Sequence, residues 1–345
     1  MSLEELELAT GSFEELQELF EKRGWGDGLP LVPPTPERVE AMLAGTPAGR
    51  EDEVIATLPP RHGEATRRLL AVNAVLAGCP PGVLPVLVTA VRALARPELN
   101  LRGVNATTHP AAPLLVVHGA AVAALDMNPG AGAFGPGNRA NATLGRALRL
   151  VLLHAAGARP GAGDASTQGG PAKYGYCIAE NEAASPWEGY ARSVGVTAPS
   201  AVTVACGEAP HNVHDMESET PAPILDKVAS VMATLGSNNA PVSSAEFFVV
   251  LGPEHAATLA AAGWSRRDVQ SYLFEKARLP AATLRRAFRV VQWRPWLAAL
   301  ADGDPMPLTD HPDQIRVLVA GGPGKHSSVI PSWGMTKSVT LAVEA

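Results

Sequence analysis

Apolar positions recur along this chain with two periods, and glycine and proline mark the boundaries between them. Ser12-Phe-Glu-Glu15 is a capping box ahead of an amphipathic stretch over 13–23, with Gly24 as its stop. Thr35 followed by Pro36 opens a second helix that ends before Gly45. A broad apolar face of Leu69, Leu70, Val72, Val75 and Leu76 predicts a helix over 64–77 closed by Gly78. Residues 83–95 read as a mostly buried helix. Residues 139–155 read as a strongly amphipathic one, with Leu144, Leu148, Val151 and Leu152 inside and Arg139, Arg146 and Arg149 on other faces. Further helical patterns cover 224–235, 255–262 and 266–278. The short apolar runs at 114–118, 201–205, 247–251 and 315–320 read as strands buried on both faces.

Strands separated by helices predict an α/β fold: a mainly parallel sheet, or sheets, covered by helices. Leu115-Val-Val-His-Gly119 matches Phe248-Val-Val-Leu-Gly252 at an offset of 133 residues. Each run is followed by an alanine-rich helix and then an arginine-bearing one, so the expectation is an internal duplication into pseudo-twofold α/β halves. The chain divides into a helical, proline-rich N-terminal arm (1–60), a first half (61–195), and a second half (196–345) with a C-terminal strand and a glycine-rich turn. In parallel sheets ligands sit beyond the carboxyl ends of the strands, and three of these strands end in glycine beside a polar residue.

Composition narrows the function. The net charge is −6, and no basic stripe interleaves with aromatics, so nucleic acid is not an expected partner. The longest apolar runs are too short to span a bilayer, and Glu4, Glu5 and Glu7 do not suit an export signal. Three cysteines make no disulfide framework, so a cytoplasmic protein with reduced thiols is expected. The proline-rich arm and apolar helices suggest a homo-oligomer.

Five polar stretches could carry chemistry. The loop Asn128-Pro-Gly-Ala-Gly-Ala-Phe-Gly-Pro-Gly-Asn-Arg-Ala-Asn141 runs into a helix start, where free amides and the donors of Asn138, Arg139 and Asn141 favour anions. It follows no strand directly and has no acidic residue about 20 positions on. With no Gly-Lys-Ser/Thr either, neither an NAD nor an ATP motif is present. His109, after Thr108 and before a proline, is a candidate proton carrier. In Lys173-Tyr-Gly-Tyr176-Cys177-Ile-Ala-Glu180-Asn-Glu182, Lys173 would lower the thiol pKa of Cys177, making it a nucleophile with Glu180 or Glu182 as acid or base. Cys206-Gly-Glu208-Ala-Pro-His211-Asn-Val-His214 offers Cys206, His211 and His214 to a transition metal, or Glu208 and its neighbours to a substrate. Gly321-Gly-Pro-Gly-Lys325-His326-Ser327 combines backbone donors, a cation, an imidazole and a hydroxyl after a strand. It is a second anion-binding candidate, with His326 able to carry a proton.

These residues resemble a bacterial family associated with selenoproteins that carry a Sec-Gly-Ser-Cys (UGSC) motif. The resembling segments are Gly26-Asp-Gly-Leu-Pro-Leu-Val-Pro-Pro and its continuation to position 43, Asn73-Ala-Val-Leu-Ala-Gly-Cys79, Ala106-Thr-Thr-His-Pro110, Asn141-Ala-Thr-Leu-Gly-Arg-Ala-Leu-Arg-Leu150, Tyr174-Gly-Tyr-Cys-Ile-Ala-Glu-Asn-Glu182 and Gly322-Pro-Gly-Lys-His-Ser327. The resemblance implies thiol or selenol chemistry nearby but names no substrate. The chain itself has no Cys-Gly-Ser-Cys, so a separate small thiol or selenol protein would supply that motif.

The reading at this stage is an enzyme for a small anionic or polar, heteroatom-containing metabolite. The two glycine loops hold the substrate, Cys177 reacts, and His109 carries a proton. A metal-dependent lyase or hydrolase using Cys206, His211 and His214, and a non-catalytic scaffold for a small redox protein, are the alternatives. The cofactor is left unknown.

Overall fold

The computed structural model describes residues 12–241, 244–288 and 299–344; the first eleven residues of the expected arm and the last residue lie outside these. In chain order the strands are β1 (Val54–Leu58), β2 (Gly63–Thr66), β3 (Ala112–Gly119), β4 (Cys177–Ala179), β5 (Ser200–Gly207) and β6 (His211–His214). They continue with β7 (Phe247–Leu251), β8 (Arg278–Pro280), β9 (Pro305–Pro307), β10 (Ile315–Val319), β11 (His326–Pro331) and β12 (Val339–Ala342).

Two four-stranded sheets form the centre, ordered β12-β5-β3-β4 and β10-β7-β11-β6. Only β3–β4 and β7–β10 are parallel; the other four pairings in these sheets, and the small ribbons β1–β2 and β8–β9, are antiparallel. The fold is therefore mixed α/β, and the expectation of mainly parallel sheets is corrected. The reason lies in β5, β6, β11 and β12. After a short turn from β10, β11 runs antiparallel to β7; β6 and β12 cross to the other sheet, and the polar residues of β6 and β11 hide their strand pattern.

Strand alternation builds four layers. Leu115, Val117, Cys177, Ala179, Val202, Val204 and Cys206 face outward from the first sheet, into a core shared with the helices Arg67–Ala77, Leu84–Leu94 and Arg139–Val151. Phe247, Val249, Leu251, Val317 and Val319 do the same on the second sheet, under the helices Pro221–Met232, Pro253–Ala261 and Arg266–Lys276. Between the sheets, Leu114, Val116, Ile178 and Ala205 pack against Phe248, Val250, Leu318 and Ile330. No helix among the described residues is long and apolar enough to cross a membrane.

The local signals act as their chemistry dictates. Ser12 and Glu15 form the reciprocal capping box of the helix Phe13–Arg23, and Gly24 closes it in the left-handed region. The stretch 64–77 divides at Thr66, which ends β2 and caps the helix Arg67–Ala77 through the amide of Leu69. Phe20, Trp25, Leu31, Val39, Met42 and Leu43 of the arm are buried in the first core.

The sheets share one plan. Each has a parallel pair, then two antiparallel steps, and each borrows its fourth strand: β6, which follows β5, joins the second sheet, and β12, which follows β11, joins the first. The units that exchange strands are β3–β6 and β7–β12, so the division falls after β6 and not at the expected position 195. The 133-residue offset does not match this plan. It lays Leu115, which faces the helices, on Phe248, which faces the other sheet. Since strand side chains alternate, a pleat-preserving offset must be even.

Candidate functional site

The helix Arg139–Val151 places Arg146 and Arg149 one turn apart on one face. Arg146 holds the arm by a two-pronged ion pair with Asp27, Nε to Oδ2 and Nη2 to Oδ1, both 2.8 Å, and also donates to the carbonyls of Leu29 and Pro30. Burial pushes the Asp27 carboxyl upward, but the Arg146 hydrogen bonds and charge outweigh it and hold the pKa below the usual value. Arg149 points into a cleft of about 660 Å³ whose walls include Arg159, Asp164, Ser166, Thr167, Lys173 and Tyr174.

Asp164 is buried. It receives Lys173 Nζ at 2.8 Å on both oxygens and the Ser166 amide at 3.1 Å, while Arg149 Nη2 stands 3.4 Å away. Burial lowers the pKa of both Arg149 and Lys173, against the attraction of Asp164. With Asp27 neutralised by Arg146, the cleft holds three cations (Arg149, Arg159 and Lys173) against the single further carboxylate of Asp164. The cleft is net positive, in a chain whose net charge is −6.

The loop over the cleft is tied to the segment before β3: the Ala165 amide donates to Asn105 O and the Thr167 amide to Thr108 O. The next residue is His109. Its Nε2 lies 2.7 Å from Glu208 Oε1, although 99 residues separate them, and its buried Nδ1 has no hydrogen-bond partner. Tyr176 lines a narrow gap together with Arg149, Asp164 and Lys173, and its hydroxyl donates to the Glu208 carbonyl at 2.9 Å. His109, Thr108, Lys173, Tyr176 and Glu208, marked out separately in the sequence, are thus linked in one neighbourhood.

A second His–Glu pair lies between the sheets. His118 Nδ1 is 2.6 Å from Glu180 Oε2, and its Nε2 is 2.8 Å from Thr203 Oγ1, which pairs on with Thr340 Oγ1 at 2.9 Å. Glu180 also accepts the Tyr190 amide on both oxygens, and Tyr190 stacks on the imidazole. Glu182 accepts the Gly119 amide at 2.9 Å. Among the described residues, His118, Glu180 and Glu182 are the one group of this kind whose ligand atoms lie within 4.8 Å of one another. Their existing hydrogen bonds already occupy most of that capacity.

The remaining expected residues go elsewhere. Cys177 does not lie in the cleft with Lys173. Alternation on β4 sends Tyr176 and Glu180 between the sheets and Cys177 into the helix-side core. There Gly145 lets the helix approach so closely that an added Cβ would stand 3.1 Å from Cys177 Cβ. Burial then raises the thiol pKa far above its ordinary value, and the nearby Cys79 adds to it. The thiols of Cys79 and Cys206 are pushed up to about 12, chiefly by burial. The trio Cys206, His211 and His214 does not converge: Cys206 is in the first core, whereas His211 and His214 are exposed on β6 of the second sheet.

The two glycine loops do meet. Gly132 and Gly135 share a cavity of about 340 Å³ with Gly321, Gly322, His326 and Ser327. The donors expected to serve a ligand there serve the fold instead. Asn138 caps the helix through the Asn141 amide, Asn141 bonds Asn128 and Ala133, and Arg139 bonds the carbonyls of Gly78 and Cys79. Ser327 Oγ is bound by His255 and Gly252, Lys325 reaches Ser218 O at 3.5 Å, and His326 contacts Asn212 at 3.1 Å.

Sequence reasoning missed Arg149, Arg159, Asp164 and His118. The usable signal was the glycine-rich stretch 157–170 between an arginine-bearing helix and Lys173. A comparison with family models, with curated proteins and with solved structures finds no match to this chain.

Proposed function

We propose that the protein is an enzyme that binds a small anionic metabolite in the Arg149–Lys173 cleft and moves a proton through His109. The observation that carries the reading is the His109 ring: Glu208 holds Nε2, Nδ1 is buried without a partner, and the preceding Thr108 carbonyl is bonded by the Thr167 amide of the cleft wall. A buried polar atom left unsatisfied costs about 1–3 kcal/mol, so its retention points to use. A carboxylate on one ring nitrogen fixes the tautomer and leaves the other as a base. The cleft's cations would stabilise negative charge developing on a substrate that reaches from them to that base. The reaction class is therefore proton abstraction or donation close to a carboxylate or phosphate.

Two binding probes and one turnover probe test this. Inorganic phosphate and malonate should bind in calorimetry, and Arg149→Gln should weaken them ten- to a hundredfold, the worth of about 1.5–3 kcal/mol for a charge-assisted hydrogen bond. A panel of 2-oxo and 2-hydroxy acids in D₂O, followed by NMR, should show solvent deuterium entering at least one substrate, and His109→Gln should abolish it. Binding of neither anion to the native protein would refute the cleft; binding with no exchange in any substrate would refute the proton-transfer role.

The resemblance to the UGSC-associated family belongs to the same reading. With all three cysteines buried and their pKa values raised, any thiol or selenol chemistry at the cleft would come from a separate small protein. We also infer that β3–β6 and β7–β12 descend from one duplicated unit. The shared strand order and the reciprocal exchange of β6 and β12 support this, and the sequence match at offset 133 does not.

A further inference from the structure

A second cavity of about 580 Å³ adjoins the Lys173 cleft, and Leu153 and Arg159 line both. Arg61, Thr66 and Arg68 form much of the far wall, and Glu64 is the carboxylate among the lining residues. Arg68 is committed to Asp52 and Glu40. Among the described residues, Arg61 and Arg159 have no ion-pair or side-chain hydrogen-bond partner. The fold keeps room for Arg61: at Gly157, φ +68°, an added Cβ would come within 2.3 Å of Arg61 Cδ. The helix Arg67–Ala77, whose start borders the cavity, carries no acidic residue in its first turn. The positive end of its dipole therefore reinforces the arginines.

We propose that the two cavities form one elongated site for a metabolite with an anionic group at each end. One group sits on Arg149 and Lys173, the other on Arg61, and Arg159 lies between them. The planar guanidinium favours phosphate, which it can grip with two parallel hydrogen bonds, so the ligand class is a bisphosphorylated small molecule. The inference rests on reading the Lys173 cleft as an anion site.

Calorimetry with methylphosphonate and with α,ω-alkane bisphosphonates of increasing chain length separates the two claims. Methylphosphonate should bind the native protein. Once the chain is long enough to span both cavities, the bisphosphonate should bind at least about tenfold more tightly, because its second head engages intramolecularly. Arg61 is exposed, so Arg61→Gln should leave the fold and methylphosphonate binding unchanged while removing the length-dependent gain. Methylphosphonate binding with no gain at any chain length, or a gain that survives Arg61→Gln, would overturn the elongated site and leave the Lys173 cleft standing. No methylphosphonate binding at all would overturn both.

Discussion

The two histidine–glutamate pairs use the same chemistry at almost the same distance, 2.7 Å for His109–Glu208 and 2.6 Å for His118–Glu180, yet they have different consequences. His118 and Glu180 are sealed between the sheets, and every ring nitrogen and carboxylate oxygen there has a partner. Such a network specifies how the sheets pack and has nothing left to offer a substrate. The Glu208 carboxylate is about 29% exposed, and His109 keeps one nitrogen idle. Satisfaction, more than proximity, separates a structural pair from a chemical one.

The same substitution at both histidines breaks or sharpens that contrast. His118→Leu removes both ring partners and strands a buried carboxylate. The cost should be about 3–5 kcal/mol, the usual result of breaking a buried pair from one side. Urea unfolding measures it as a lower midpoint with an unchanged slope. A loss below about 1 kcal/mol would mean that the pair is not the structural element described.

The sequence made the second pair hard to see, and the first easy to misplace. Lys173, Tyr176, Cys177, Glu180 and Glu182 looked like one dense cluster because they are close in the chain. β4 deals them to opposite faces: Tyr176 and Glu180 go between the sheets and Cys177 goes under the helices. Alternation within Tyr-Gly-Tyr-Cys-Ile-Ala-Glu carried that information, but polar residues on one face masked the strand. The helices were legible because caps and stops such as Ser12, Gly24 and Gly78 act locally. The sheet plan was not, since β12 joins β5 across more than a hundred residues and nothing local encodes such a partner. His109 and Glu208 could each be marked as polar loop residues; their contact depends on β5 and β11 ending side by side, where the Glu208 amide meets Pro331 O.

A smaller effect tests the cations of the cleft. Burial lowers the Lys173 pKa below its ordinary 10.5. Just below 10.5 the unfolded chain therefore binds this proton more tightly than the folded protein does. Stability should rise with pH through that window as the folded-state penalty disappears. Phosphate affinity should fall over the same window, because Lys173 loses its charge. Calorimetry and unfolding run in parallel from neutral to alkaline pH should thus move in opposite directions, and Lys173→Met should flatten this group's contribution to both. Parallel movement would show that Lys173 is not the titrating cation of the cleft.

The smallest expected change carries the most weight. His109→Leu removes one hydrogen bond to a carboxylate that water can reach, and partly exposed pairs of this sort contribute about 0–1 kcal/mol. It also removes a buried nitrogen that the fold leaves unsatisfied, a source of destabilisation in the native protein. The two terms oppose each other, so stability should change by less than about 1 kcal/mol in either direction, while phosphate binding to Arg149 and Lys173 persists. Measured beside His118→Leu in the same unfolding experiment, this near-neutral result is what a histidine kept for chemistry should give. A loss of several kcal/mol would instead make His109 a second structural pair, and the free nitrogen would need another explanation.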